Sequence, residues 1–292
     1  MLRKLLFLVF AFTPLIATSQ DPAPNTVSPA SPAEISPNGV AAEFLCKNCE
    51  GGPYNPVAHY GIYTDWTEVQ KEHLFQLRSA ILNQDVWHQM ESKAHFDNCD
   101  FAGATGYIQT LMTELEQLAK TAQDAEKKND IDGRDSAVRK SYKVIGQILH
   151  GIQDFYSHTN YVELVVQRIK NKEISAANFD SHTIDLFTAD ALTQLKELEK
   201  KGLVSGVVSW GFPKKCAPNA ASHGDLAKDS DKGHGAVKVP ELGNKTLHSL
   251  SYSLAKHASK RFMYYAWEEW SVLDVGKSRD RFPLDVMIDR RQ

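Results

Sequence analysis

The stretch LHGIQDFYSHTNYVEL, residues 149–164, sets His150, Asp154 and His158 four apart. Residues at that interval are neighbours on a helix surface, so a helix here gathers two imidazoles and a carboxylate on one face. Val138, Tyr142, Ile145, Leu149 and Ile152 recur upstream at steps of three and four, which predicts a helix from about Ala137 onward. Asp132 and Asp135 precede it as expected N-caps, and a stop or bend is expected between Ser157 and Asn160. His150 with Asp154 suits one metal ion and Asp154 with His158 a second, which makes Asp154 the expected bridge. The plainer reading of the same spacing is a hydrogen-bonded polar cluster inside a helical core.

Helical periodicity extends on both sides. Asp65-Trp-Thr-Glu68 is a capping-box pattern that introduces a helix over about Trp66–Asn83. Further helices are expected over Gly106–Lys128, Ser181–Lys200 and Lys245–Leu273, each carrying an apolar stripe at steps of three and four. Gly202–Gly243 reads as a long loop with a short strand at Val204–Trp210, and it carries His223, Asp225, Asp229 and His234. Long loops inside a domain are often functional. The expected architecture is a single all-α domain over residues 43–292: a helical bundle whose polar interior site is capped by this loop. Tyr264, Tyr265, Trp267 and Trp270 are expected to pack in its core rather than to form a membrane belt.

The first nineteen residues have a basic start, an apolar run from Leu5 to Ile16 and a small-residue exit, the pattern of a secretory signal peptide. Residues 20–42, rich in Pro, Ser and Ala, are expected to form a flexible leader. The protein is therefore expected to be secreted or periplasmic. Cys46, Cys49, Cys99 and Cys216 then read as two disulfides, whose pairing the sequence leaves open among three connectivities. Without Arg3 and Lys4 there are 31 basic residues against 36 acidic ones. That balance argues against nucleic acid as a partner, and the lysines of Lys228–Lys232 read as solvated loop charges. No phosphate-binding glycine loop, nucleophile elbow or His-Glu-x-x-His motif is present.

The helix motif LHGIQDFYSHTNYVEL, together with AHFDNCDF and LVSGVVSW…CAPNAASHGDLAKDS in that order, resembles the HET-C domain proteins, named for fungal heterokaryon incompatibility. The resemblance covers most of Tyr54–Phe262. More distantly, the motifs are similar to zinc-dependent phospholipases C and single-strand nucleases, all-α exported enzymes with a zinc cluster. That similarity implies one to three zinc ions, with His150, Asp154 and His158 as ligands. It implies the same role for His73 in EHLFQLRSAI, His95 in AHFDN and, as a later ligand, His248. His223 and Asp225 of SHGD are candidate replacements for ligands that are missing here. The phospholipases use an N-terminal Trp and a His-x-x-x-Glu pair, whereas Trp66 is the first Trp of this chain and Tyr252 stands four residues after His248.

The function expected on these grounds is a metal-dependent phosphodiester hydrolase, phospholipase C-like, acting on phospholipid head groups at a membrane surface. Asp154 and Asp97 are the expected catalytic carboxylates, Asp97 orienting an imidazole or a water. The alternatives are a non-enzymatic membrane-active or cell-death effector whose His/Asp site is structural, and a zinc-dependent nuclease. His59, His88, His182, His234 and His257 are expected at the surface or behind the ligands.

Overall fold

In the computed structural model, residues 68–274 are described. The expected signal peptide, leader and Asp65 cap, together with His59, Cys46, Cys49 and Trp66, lie outside the described residues. The fold is a helical bundle: α1 (Glu68–Trp87), the short α2 (Ser92–His95), α3 (Phe101–Lys127), α4 (Ile131–His158), α5 (Tyr161–Lys170), α6 (Ala191–Glu199), the short α7 (His223–Leu226) and α8 (Leu247–Glu269). One small antiparallel pair, β1 (Lys238–Val239) and β2 (Lys245–Thr246), sets Lys238 opposite Thr246 just before α8. No helix of the described residues is long and apolar enough to cross a membrane.

α3 begins at Phe101, five residues before the expected start, because the Asp100 carboxylate accepts the Gly103 N–H and caps it. Its stripe of Ile108, Leu111, Leu115, Ala119 and Ala122 is buried against α4. α4 is capped by Asp130, whose carboxylate accepts the Gly133 N–H. The expected caps Asp132 and Asp135 lie inside the helix, where Asp135 pairs with Arg134. α4 stops at His158, within the expected interval, and Thr159 leaves it in an extended conformation.

α4 is the central helix, packed by α1, α3 and α8. Every residue from Ile148 to His158 is buried. Gly146 allows α1 to approach, since a Cβ there would meet the Leu77 carbonyl oxygen at 2.3 Å and Ala80 Cβ at 2.8 Å. Ala is the better helix former by about 1 kcal/mol, but contact with backbone cannot be relieved by a rotamer change. Gly146→Ala is therefore expected to destabilise by about 2 kcal/mol. A urea midpoint equal to wild type or higher would overturn that packing argument.

Trp267 and Trp270 are buried in the core as expected, and Tyr265 is partly exposed. The expected helix over Ser181–Lys200 is only α6, preceded by a 3-10 turn at Ala176–Ser181. Between them Thr188 Oγ donates to the Asp185 carbonyl and to the Asp190 carboxylate, local bonds that compete with helix. Ile184, Leu186 and Phe187 nevertheless reach the core, which explains the misleading stripe. The expected strand at Val204–Trp210 forms only isolated bridges, Ser205 to Thr159 and Val207 to Ser222. The long loop is further ordered by α7 and by 3-10 turns at Gly233–Ala236 and Pro240–Leu242.

Candidate metal centre

The C-terminal third of α4 brings His150, Asp154 and His158 onto one buried face. Asp85 reaches it from the last turn of α1, and His95 and Asp97 come from α2 and the turn after it. The loop contributes His223 and Asp229. That turn is unusual, because Phe96, Asn98 and Cys99 all have positive φ, at 54°, 56° and 56°. Asn98 holds it in place: its N–H donates to the Gly206 carbonyl, its side chain donates to Ser92 Oγ and accepts the Val208 N–H, and its carbonyl accepts from Lys215 and Cys216. The disulfide Cys99–Cys216 joins the same turn to the loop, which resolves one pairing that the sequence left open.

Asp154 Oδ2 lies 2.9 Å from His150 Nε2 and 3.0 Å from His95 Nδ1. The two nitrogens are themselves 3.0 Å apart. Each of these atoms can act only as a proton donor or as an acceptor. With three atoms and two kinds, at least one edge of the triangle must face like against like, whatever the protonation. A cation attracting all three lone pairs removes the conflict. The Asp154 Oδ1 atom is buried with no hydrogen-bond partner, a costly arrangement for a carboxylate in a protein interior. His95 Nε2 lies 3.2 Å from the His88 carbonyl. A carbonyl only accepts, so Nε2 carries a proton, and in the neutral ring Nδ1 would then offer its lone pair, the usual arrangement behind a metal-bound histidine.

Asp85 Oδ1 stands 3.8 Å from His150 Nε2 and 4.0 Å from His95 Nδ1, completing a first group of nitrogen and oxygen donors. Asp97, His158 and His223 form a second group, and in each group the ligand atoms lie within 4.8 Å of one another. Asp97 Oδ1 is 3.1 Å from His223 Nδ1 and 3.8 Å from His158 Nδ1. Donors tetrahedrally placed about 2 Å from zinc are about 3.3 Å apart, so the triangle of His95, His150 and Asp154 would open slightly, while Asp85 and the pair of His158 and Asp97 would close. Asp154 lies between them, its Oδ2 also 3.8 Å from His158 Nδ1. His158 Nδ1 donates to the His95 carbonyl at 3.2 Å, and its Nε2 faces Asp229 Oδ1 at 3.5 Å.

The charges are mutually stabilised. Burial opposes ionisation of Asp154, but His150 and His158 hold its carboxyl well below the usual carboxylate range. Burial likewise opposes charge on His158, yet Asp154 and Asp229 raise the imidazole well above its ordinary value. Asp229, against the pull of burial, is held down to about 2 by His158.

Nine residues named from the sequence are used differently by the fold. His95, Asp97, His150, Asp154, His158 and His223 converge as described. Asp225 does not join them: it is exposed, and its carboxylate accepts the N–H and the hydroxyl of Ser222, capping α7. Nor do His73 and His248 belong to either group of the described residues. His73 packs its ring 5.0 Å from that of Tyr142, and His248 Nδ1 donates to the Lys228 carbonyl at 2.8 Å. Sequence reasoning missed Asp85 and Asp229 as members, since each arrives from an element remote in the chain.

It also misread Lys228, which is fully buried rather than solvated. Its ammonium donates to the Thr159 carbonyl at 2.7 Å, the Leu226 carbonyl at 2.8 Å and Glu163 Oε1 at 3.3 Å. His234 Nε2 meets the same Glu163 oxygen at 2.6 Å. Burial pushes the Lys228 ammonium below its ordinary pKa, with Glu163 opposing that fall. The cluster fastens the loop beside the end of α4 and so sets Asp229 next to His158.

A family model described as heterokaryon incompatibility protein Het-C matches residues 41–190, just over half of the chain. No curated protein and no solved structure matches it. The matched segment contains α1–α5, with His95, Asp97 and the three α4 ligand positions; His223 and Asp229 lie beyond it.

Proposed function

The chain belongs to the Het-C family, and from that premise and the buried triangle around Asp154 we propose that it is an exported, zinc-dependent phosphodiester hydrolase acting on phospholipid head groups. The observation that carries the reading is the convergence of His95 Nδ1, His150 Nε2 and Asp154 Oδ2, each about 3.0 Å from the others, which no distribution of protons satisfies. His95, His150, Asp85 and Asp154 would hold one cation, and Asp97, His223 and His158, once its Nδ1 gives up the proton it donates to the His95 carbonyl, a second, with Asp154 shared. A divalent cation held there supplies Lewis acidity to a phosphoryl oxygen and a source of hydroxide near neutral pH. The protein's own part is orientation. The His88 carbonyl fixes the tautomer of His95, Asp97 aims His223, and Asp229 holds the outer nitrogen of His158. Asp85 is the exposed member of the first group, so water and substrate enter from its side.

The test is metal content by inductively coupled plasma mass spectrometry on protein purified without chelator, together with release of phosphorylated head group from phospholipid vesicles. Bound zinc, removed by phenanthroline with loss of release and restored with it, is expected. Leakage of vesicles without any released phosphate would instead identify a non-enzymatic membrane-active protein, and absence of metal would overturn the metal reading.

A further inference from the structure

Five of the eight large hydrophobic side chains exposed among the described residues lie in two short segments: Val86, Trp87 and Met90 at the end of α1, and Trp210 and Phe212 in the loop. Each is more than half exposed, and Trp87 reaches 77%. The segments are 120 residues apart in the chain but run side by side. The Phe212 N–H donates to the Met90 carbonyl at 2.9 Å, the Ser92 N–H donates to the Phe212 carbonyl at 3.0 Å, and Phe212 bridges Glu91 in parallel. Exposed apolar residues gathered in this way mark contact surfaces more often than isolated ones do.

The position and charge of this rim favour one occupant. Val86 directly follows Asp85, the exposed member of the first ligand group, and the His88 carbonyl within the same turn orients His95. Lys214 places its ammonium 5.5 Å from the Phe212 ring centroid. Lys93 is paired with Glu91 at 3.0 Å and Lys215 with Asp100 at 2.6 Å, which among the described residues leaves Lys214 as the cation at the apolar edge with no carboxylate partner. Tryptophan and phenylalanine tips backed by a snorkelling lysine match a bilayer surface, where rings enter the acyl boundary and the ammonium stays at phosphate level. The geometry points to Val86, Trp87, Met90, Trp210 and Phe212 as a rim that docks the protein on an anionic phospholipid bilayer, with the Asp85 side of the metal centre facing the lipid phosphates. This deepens the hydrolase reading and rests on it for its purpose, but binding can be read without turnover.

The test is flotation of the full chain with vesicles of equimolar phosphatidylcholine and phosphatidylglycerol, comparing wild type, the triple variant Trp87→Ser/Trp210→Ser/Phe212→Ser, and Asp154→Asn. Wild type and Asp154→Asn are expected to float, and the triple variant to partition at least about a hundredfold more weakly. In wild type, lipids brominated near the acyl boundary are expected to quench the fluorescence of Trp87 and Trp210, a readout independent of any variant's folding. Absence of both binding and quenching in wild type, or equal flotation of a folded triple variant, would overturn the docking surface. So would sedimentation showing that the rim closes a dimer that does not bind vesicles. Flotation without released phosphate would uphold the rim while removing the hydrolase reading.

Discussion

Asp154→Asn is expected to lower phosphodiester turnover by on the order of a thousandfold or more. Replacing partners that only support a metal ligand already costs about 10–100-fold, and Asp154 touches both histidines of the first group and lies beside the second. Asparagine keeps the shape and removes the charge, so the helix should remain folded while zinc content falls. The comparison needs three readings on the same preparation: metal per chain, head-group release and a circular dichroism melt. A folded variant that keeps both zinc and activity would remove Asp154 from the centre. A variant that fails to fold would be replaced by His95→Gln, which sits on the short α2 and leaves α4 intact.

Loss of the Cys99–Cys216 disulfide is expected to produce the largest change in stability. The two residues are separated by 117 positions, and in the chain-entropy account a closure of that length contributes about 4–5 kcal/mol. A folded domain has only about 5–15 kcal/mol in total. Cys99→Ser/Cys216→Ser should therefore shift the urea midpoint strongly downward and weaken metal retention with it, since the bond fastens the turn carrying Asp97 to the loop carrying His223. A change of less than about 1 kcal/mol in the denaturation midpoint would show that the Asn98 hydrogen bonds suffice without it.

The bundle was legible because α3, α4 and α8 repeat their apolar residues at helical steps, and because Asp154 sits among histidines spaced by four in the buried last third of α4. Ser181–Lys200 misled because its apolar residues are buried through an irregular segment, and burial alone does not require a helix. The candidate positions on α4 could be read from spacing, and those in the turn after α2 came through the family resemblance. Asp85 and Asp229 could not, because their distance from Asp154 along the chain says nothing of their distance in space. Asp225 carried the right chemistry for a ligand, but a serine three residues before it made it a cap. Lys228 looked like part of a charged run, and only the placement of Glu163 and of two backbone carbonyls gives its ammonium partners in the interior.

Three left-handed residues within four, at Phe96, Asn98 and Cys99, make a turn whose local bonds to Ser92 are joined by others from far along the chain. Each costs of order 1 kcal/mol, and the long-range bonds that hold the turn come from residues 205–216. Local contacts such as the α3–α4 hairpin form early in folding, whereas pairings across a hundred residues form late. His95 and Asp97 therefore acquire their aim only when the loop returns. A newly made chain carries its helices before it carries the proposed metal centre, and cation capture there would report the completion of folding rather than initiate it.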